Sequence, residues 1–278
     1  MMQMTCYDLH SHSTASDGSL SPTALVERAI EQGVDVLALT DHDGTEGIHE
    51  AQLAARDTNL TLIPGVEISV TWGGTTIHIV GLNVDIEHSA LQHGLQSMRD
   101  YRIGRAEEIA KRLDKAGIPG ALEGAKKYAS EIMLGRLHFA KFLVEYDYAK
   151  DISDVFKRYL VRNKPGYVPG QWASLSDAVS WITAAGGQAV IAHPARYKIT
   201  ATKLRRLITD FKEAGGLGFE VVSGRQHPEE VKNLVRLTEQ FGLLASCGSD
   251  FHTPDNTWVE LGHLATMPKL CTPIWTIF

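Results

Sequence analysis

The 278-residue sequence predicts an α/β protein on a largely parallel sheet, with a helical subdomain inserted into it. Two observations carry that expectation. Before residue 88 and after residue 170, short apolar runs of strand length alternate with helical stretches, the order that generates βα units. Between 88 and 170, long helical segments follow one another with no convincing strand between them. The expected division is a sheet domain of 1–87 and 171–278 and an inserted helical lid or substrate subdomain of 88–170.

The elements follow in order. After an opening strand that runs into DLHSH, Ser21-Pro22 reads as an N-cap followed by proline in the first helical turn, and Gly33 stops a helix over 21–34. VDVLALT (34–40) reads as a buried strand. A helical stretch at 46–57 leads to LTLIPG and VEISVTW, a turn at Gly73-Gly74, and TTIHIVGLNV with alternating apolar positions. Beyond the insertion come a helix at 175–185, the strand QAVIAH, a helix at 201–214, the strand GFEVVS, a helix at 228–241 and the strand LLASCGSD. No internal repeat or low-complexity segment interrupts this.

Composition narrows the functional classes. A formal charge of −6 excludes a global basic field that collects nucleic acid, so an anionic partner must be held by a local patch or by metal ions. Hydrophobic content of 44% and charged content of 22% are ordinary globular values. Cys6, Cys247 and Cys271 are odd in number and widely spaced, which fits a reducing compartment and excludes a disulfide framework or a thiolate zinc site. No stretch approaches the roughly 18 consecutive apolar residues of a membrane helix, and the expected location is cytoplasmic.

The chemistry-bearing residues start at DLHSHSTASDG, residues 8 to 18. Side chains at i and i+2 of an extended chain share a face, so His10 and His12 can converge on one point. His10, His12, His42, Glu67, His193 and Asp250 all fall at or just past the C-terminal ends of predicted strands, and His78 lies within one. Those ends form the face on which barrels and open parallel sheets build sites. Ordinary loop ends would supply Ser, Asn and Lys as readily as His. Of the 12 histidines, His10, His12, His42, His78, His193 and His252 lie on or beside predicted strands; the other six are expected to be solvated or locally bonded, with His138 set apart because it shares GRLHFAKFL with Arg136.

Taken in order, DLHSHSTASDG, ALTDHD, PGVEIS, TIHIVG, AHPAR and GSDFH resemble the motif set of the polymerase and histidinol phosphatase (PHP) family of the amidohydrolase superfamily, across residues 8 to 252. Within that family the chain most resembles a bacterial branch of 3′,5′-nucleotide bisphosphate phosphatases and 5′-to-3′ exoribonucleases. The likeness extends into GRLHFAKFLV and VFKRYLVRNKPGYVP, with Leu137 where relatives are expected to carry proline. The resemblance implies a distorted (β/α)7 barrel holding three divalent ions. By motif position His10, His12, Glu67 and Asp250 would bind the first, Glu67, His78 and His193 the second, and Asp17, His42 and His252 the third. Asp41 and Asp43 would orient the His42 ring from behind. Imidazole and carboxylate without thiolate suit manganese, iron or zinc, and phosphate oxygens in the shell favour manganese.

The implied reaction removes the 3′-phosphate of a nucleoside 3′,5′-bisphosphate such as pAp, by a hydroxide bridging two ions, with His193, His252 and Asp250 as the catalytic set. Ser11, Ser13, Ser69 and Ser249 lie beside ligands, but no G-x-S-x-G elbow surrounds them, so a hydrogen-bonding role is expected. Arg99, Arg102, Arg105 and Arg112, at near-helical spacing, are expected to be solvated helix faces. Arg136, Arg158, Arg162 and Lys164 sit in the segments that resemble the branch, and Arg196 follows His193 by three residues. Together with Ser223 and Arg225 in VVSGRQH they are expected to hold a second phosphate, which a guanidinium pairs bidentately. The expected partner is a small nucleotide with two phosphates or a short 5′-phosphorylated RNA, with no membrane and no obligate protein partner. Alternatives are the exoribonuclease, a histidinol-phosphate phosphatase, for which the basic insertion has no use, and a non-catalytic module, against which every ligand position is filled.

Overall fold

Seven strands pair in sequence order in the computed structural model, which describes residues 5–129 and 134–278. They are β1 Tyr7–Asp8, β2 Val36–Leu39, β3 Thr61–Trp72, β4 Thr75–Leu82, β5 Gln188–Ile191, β6 Gly218–Ser223 and β7 Leu244–Gly248. The Leu9 amide donates to Cys247 O at 2.9 Å, and Ser11 and Phe251 form a parallel bridge, so the last strand returns to the first. The sheet is the distorted (β/α)7 barrel that the motifs imply.

Pairing is parallel except around β4, which runs antiparallel to both β3 and β5. The cause is local. Gly73 and Gly74 take φ of 54° and 76°, the two left-handed positions of a two-residue hairpin turn, and such a turn returns the chain antiparallel. The same hairpin prolongs β3 beyond the rim, so Glu67 lies inside a twelve-residue strand and not at a strand end as the sequence suggests.

In chain order the helices are α1 Pro22–Glu31, α2 Ile48–Ala55, α3 Ser89–Lys115, α4 Ala121–Lys126, α5 Arg136–Glu145, α6 Ile152–Val155, α7 Leu175–Ala184, α8 Ala201–Glu213 and α9 Pro228–Phe241. Caps set several starts: Ser21 Oγ accepts the Ala24 amide at 3.1 Å, and Thr200 Oγ1 accepts that of Lys203 at 3.2 Å. The chain divides into two compact units, Met1–Leu95 with Ala173–Phe278, and Gln96–Trp172.

In the barrel unit successive strand residues face opposite ways. One face buries Leu9, Ala38, Ile63, Val80, Leu82 and Val190 together. Another cluster packs Val66, Ile68, Ile79, Ile191 and Phe219 against Val179 and Ile182 of α7, Leu207 and Phe211 of α8, and Leu234 of α9. Each such side chain contributes about 1.5–3 kcal/mol through its removal from water.

The helical unit has its own core, in which Ile109 and Leu113 of α3 meet Phe139, Phe142 and Leu143 of α5. Two of its arginines depart from expectation. Arg102 and Arg105 are buried, their guanidinium carbons 4.6 and 5.3 Å from the Trp172 ring centroid. A guanidinium is weakly hydrated and stacks flat on indole, so it tolerates burial here, and helical spacing alone misreads this face as solvated. Arg112 is likewise engaged, by Glu108 at 2.6 Å and by Tyr167 O at 2.5 Å.

Candidate metal centre

Glu67 is the hub of the site. It is fully buried, and five imidazoles converge on its carboxylate. Oε1 lies 3.3 Å from His10 Nε2, 3.0 Å from His78 Nδ1 and 3.0 Å from His193 Nε2. Oε2 lies 3.3 Å from His12 Nε2 and 2.9 Å from His42 Nδ1. Two carboxylate oxygens offer about four lone-pair directions, fewer than the rings presented to them. Buried His10 Nε2, His12 Nδ1 and Glu67 Oε2 make no hydrogen bond of acceptable angle among the described residues. Nitrogen and oxygen donors that converge without satisfying one another fit a divalent cation.

Three groups place one ligand atom per residue within 4.8 Å of each other: His10, His12, Glu67 and Asp250; His12, Asp17, His42 and His252; and His42, Glu67 and His78. The first has the membership expected for the first ion. The second adds His12 to the expected Asp17, His42 and His252. The third takes His42 where the motif reading has His193, although His193 also reaches Glu67. His12 and His252 stack with centroids 4.2 Å apart, and Asp17 Oδ1 lies 3.3 Å from His252 Nε2.

Backbone geometry aims several of these groups. Asp43, His193 and Asp250 take φ of 50°, 29° and 57°, left-handed values that non-glycine residues adopt at a cost of the order of 1 kcal/mol or more. Gly248 allows the closest approach in the site. A Cβ there would run into His10 Cβ and lie 2.8 Å from the His10 amide nitrogen and 2.9 Å from Glu220 Oε1. Gly248→Ala is therefore expected to lower stability by about 1–3 kcal/mol and to weaken metal uptake through His10. Denaturant unfolding checks this, and an unchanged midpoint would contradict it.

One supporting carboxylate is not among those expected. Glu220 of β6, missed from sequence, lies 3.2 Å from His10 Nδ1 with Oε1 and accepts the backbone amide of His193 with Oε2. Asp41, assigned to orient His42, instead accepts the Ser13 amide at 2.8 Å, Ser13 Oγ at 2.7 Å and Ser16 Oγ at 2.5 Å. Asp43 Oδ1 accepts the Ser69 amide at 2.7 Å. The two acids flanking His42 thus tie it to its surroundings, Asp41 to the Ser13–Ser16 turn and Asp43 to β3. Of the serines, Ser11 Oγ donates to Ala38 O at 2.8 Å and Ser249 Oγ to His10 O at 3.4 Å, roles in hydrogen bonding.

Charge and burial oppose each other here. Burial alone would depress the His10 pKa, but Glu67, Glu220 and Asp250 hold it well above 6.5. Burial likewise works against charge on His252, and Asp17 and Asp250 outweigh it, holding the ring at about 9. His12 goes the other way, to about 3, through burial and the facing His252. Burial disfavours ionised Glu67, yet His42, His78 and His10 keep it well below the carboxylate range. Near pH 7, then, His10 and His252 carry protons that an arriving cation must displace. Manganese added to chelator-stripped protein is expected to release about one to two protons, with affinity rising as pH climbs towards 9. Calorimetry in buffers of different ionisation heat reads this. Affinity independent of pH between 6.5 and 9 would contradict it.

The residues assigned to phosphate fall in both units. In the barrel unit Arg196 Nη1 donates to the Asp250 carboxylate, Ser223 is buried, and the Arg225 guanidinium lies over Trp258. Tyr197 Oη, not foreseen, accepts the His78 amide at 2.8 Å. In the helical unit Arg136 lies over the Phe156 ring at 5.6 Å, Arg158 donates to Tyr148 O at 2.8 Å, and Arg162 and Lys164 are exposed. His138 Nδ1 accepts the Gly135 amide at 3.0 Å and so caps α5.

A PHP domain model matches residues 8–167. The chain is 46% identical over 273 residues to the 3′,5′-nucleoside bisphosphate phosphatase of Chromobacterium violaceum, covering 98% of this chain and 96% of that one. It is 48% identical over 274 residues to the 5′-3′ exoribonuclease Rnm of Escherichia coli, covering 98% and 93%. The solved structure of an amidohydrolase from Chromobacterium violaceum, with sulfate bound and no metal, matches with a TM-score of 0.90 at 47% identity, over 97% of this chain and 94% of that one.

Proposed function

The chain belongs to the PHP domain family, and from that premise we propose that it is a metal-dependent phosphoesterase that removes the 3′-phosphate of nucleoside 3′,5′-bisphosphates, pAp among them. The observation that carries this is the buried convergence of imidazoles on Glu67, flanked by Asp17 and Asp250. We assign three ions, manganese by preference over zinc or iron, to His10, His12, Glu67 and Asp250, to Glu67, His78 and His193, and to Asp17, His42 and His252. Divalent ions at such a site supply an acidified water and charge neutralisation for the phosphoryl oxygens.

The chain's own groups do the rest. Glu67 and Asp250 hold fixed negative charge in a water-excluded setting, and Glu220 fixes the His10 ring and the turn at His193. His193, His252 and Asp250 are the groups assigned to the reacting phosphate. Arg196, on Asp250, adds a cation beside them that a phosphate can share. Arg136, Arg158, Arg162 and Lys164 are assigned to phosphate binding on their place in the two insertion segments that resemble the bisphosphatase and exoribonuclease branch, and Ser223 and Arg225 on their place after β6. Among the described residues no helix is long and apolar enough to cross a membrane. We propose a cytoplasmic location on the three widely spaced cysteines, which fit a reducing compartment.

The 48% identity to the Escherichia coli exoribonuclease favours a second reading, release of nucleotides from 5′-phosphorylated RNA by the same cluster. One assay decides. With manganese present, pAp is expected to turn over at least about tenfold faster in kcat/KM than adenosine 3′-monophosphate, a difference of ~1.4 kcal/mol from the second phosphate. Equal efficiency refutes the bisphosphatase, and faster mononucleotide release from a 5′-phosphorylated oligomer selects the exoribonuclease.

A further inference from the structure

Trp258 is 69% exposed, a large apolar surface left in water, and the Arg225 guanidinium carbon sits 4.4 Å from the centroid of its ring. Both residues are tethered to the metal cluster. Trp258 follows His252 by six residues on the same loop. Arg225 follows Ser223 and Gly224, and the Gly224 amide donates to Gly248 O at 2.9 Å. A Cβ at Gly224 would touch Ser249 O at 2.7 Å and Arg196 Nη2 at 3.3 Å, so this turn lies directly against the strand end that carries Asp250. The turn is also not satisfied by its own bonds. Gln226 Oε1 accepts the Ser223 amide at 3.1 Å, but buried Gln226 Nε2 and Ser223 Oγ have no hydrogen-bond partner among the described residues.

An indole backed by a cation and left open on its outer side is the form in which proteins stack a nucleobase. A guanidinium beneath the ring also adds a positive charge, which favours a nucleotide, with phosphates on its ribose, over a neutral base. Mere surface pairing would account for the cation on the ring. It does not account for an exposed tryptophan whose two anchoring loops both lead straight into the cluster.

We infer that Trp258 and Arg225 form a platform for the nucleobase of the substrate, on the outer side of the phosphoesterase cluster. The inference rests on the nucleotide reading above and adds the residues that recognise the base. Stacking grows with ring area, so the platform favours purine over pyrimidine nucleotides.

The test is kinetic. Trp258→Leu is expected to raise KM for adenosine 3′,5′-bisphosphate about tenfold with kcat little changed, and Trp258→Phe to restore it to within about threefold. Turnover of the abasic ribose bisphosphate should be the same in wild type and both variants. Thermal midpoints check that the exposed position leaves folding intact. A Trp258→Leu enzyme with wild-type KM, or one that loses both substrates equally, overturns the platform alone. A wild type inactive on the bisphosphate overturns the nucleotide phosphatase reading. Quenching of indole emission by adenosine 5′-monophosphate, expected in wild type and lost in Trp258→Phe, then decides the platform by itself, and its absence in wild type sinks it.

Discussion

Glu67→Gln is expected to lower kcat about a thousandfold, ~4 kcal/mol of transition-state stabilisation, and to leave the purified protein depleted of metal. The side chain keeps its shape, so the barrel should fold. What changes is charge: a neutral amide replaces the carboxylate that faces His10, His78 and His193 on one oxygen and His12 and His42 on the other. One of its two oxygens becomes an NH2 group, a donor with no lone pair to offer a cation. Metal analysis alongside steady-state kinetics is the measurement. A Gln variant with full metal content and activity within tenfold of wild type would remove the reason for placing the chemistry here.

Glu220→Ala should cost about 10- to 100-fold in metal affinity although Glu220 belongs to none of the three ligand groups. The carboxylate holds the far nitrogen of His10 and the backbone amide of His193, two ligand candidates far apart along the chain. Without it the His10 ring loses both its orientation and the negative charge that raises its basicity. Glu220→Gln can still accept from one of the two partners, so it should fall between wild type and alanine. Competition against a chelator of known strength ranks the three. A Glu220→Ala protein with unchanged affinity would show that the metal shell does not depend on this support.

Much of this site is legible in the sequence because its donors stand in short motifs at strand ends, where chain direction alone carries them to one rim. His10 with His12, His42, His193 and Asp250 are of that kind. Glu67 stands out by its motif but not by its place, because no local signal tells that the hairpin at Gly73-Gly74 carries β3 twelve residues long. Glu220 was visible as one acid inside GFEVVS and still went unread. Its partners, His10 and His193, lie 210 and 27 positions away, and strand periodicity names the face of a residue without naming what faces it. Arg102 and Arg105 failed similarly: spacing put them on one helical face, and only the fold of the helical unit brings Trp172 over that face. Asp41 shows the converse: it adjoins His42 along the chain, yet its carboxylate serves Ser13 and Ser16.

The seam between β1 and β7 has a consequence for how the enzyme comes into being. His12 and Asp250 are 238 positions apart and meet across that seam. Contacts of such high order form late and slowly, because the entropy of ordering the intervening chain must be met first. Any form of the chain with this seam open lacks the His12–Asp250 pairing and therefore has no complete cation pocket. Catalytic competence therefore requires the closed ring, and a cation held by groups from both sides of the seam would favour that ring over every open form, as a clasp does.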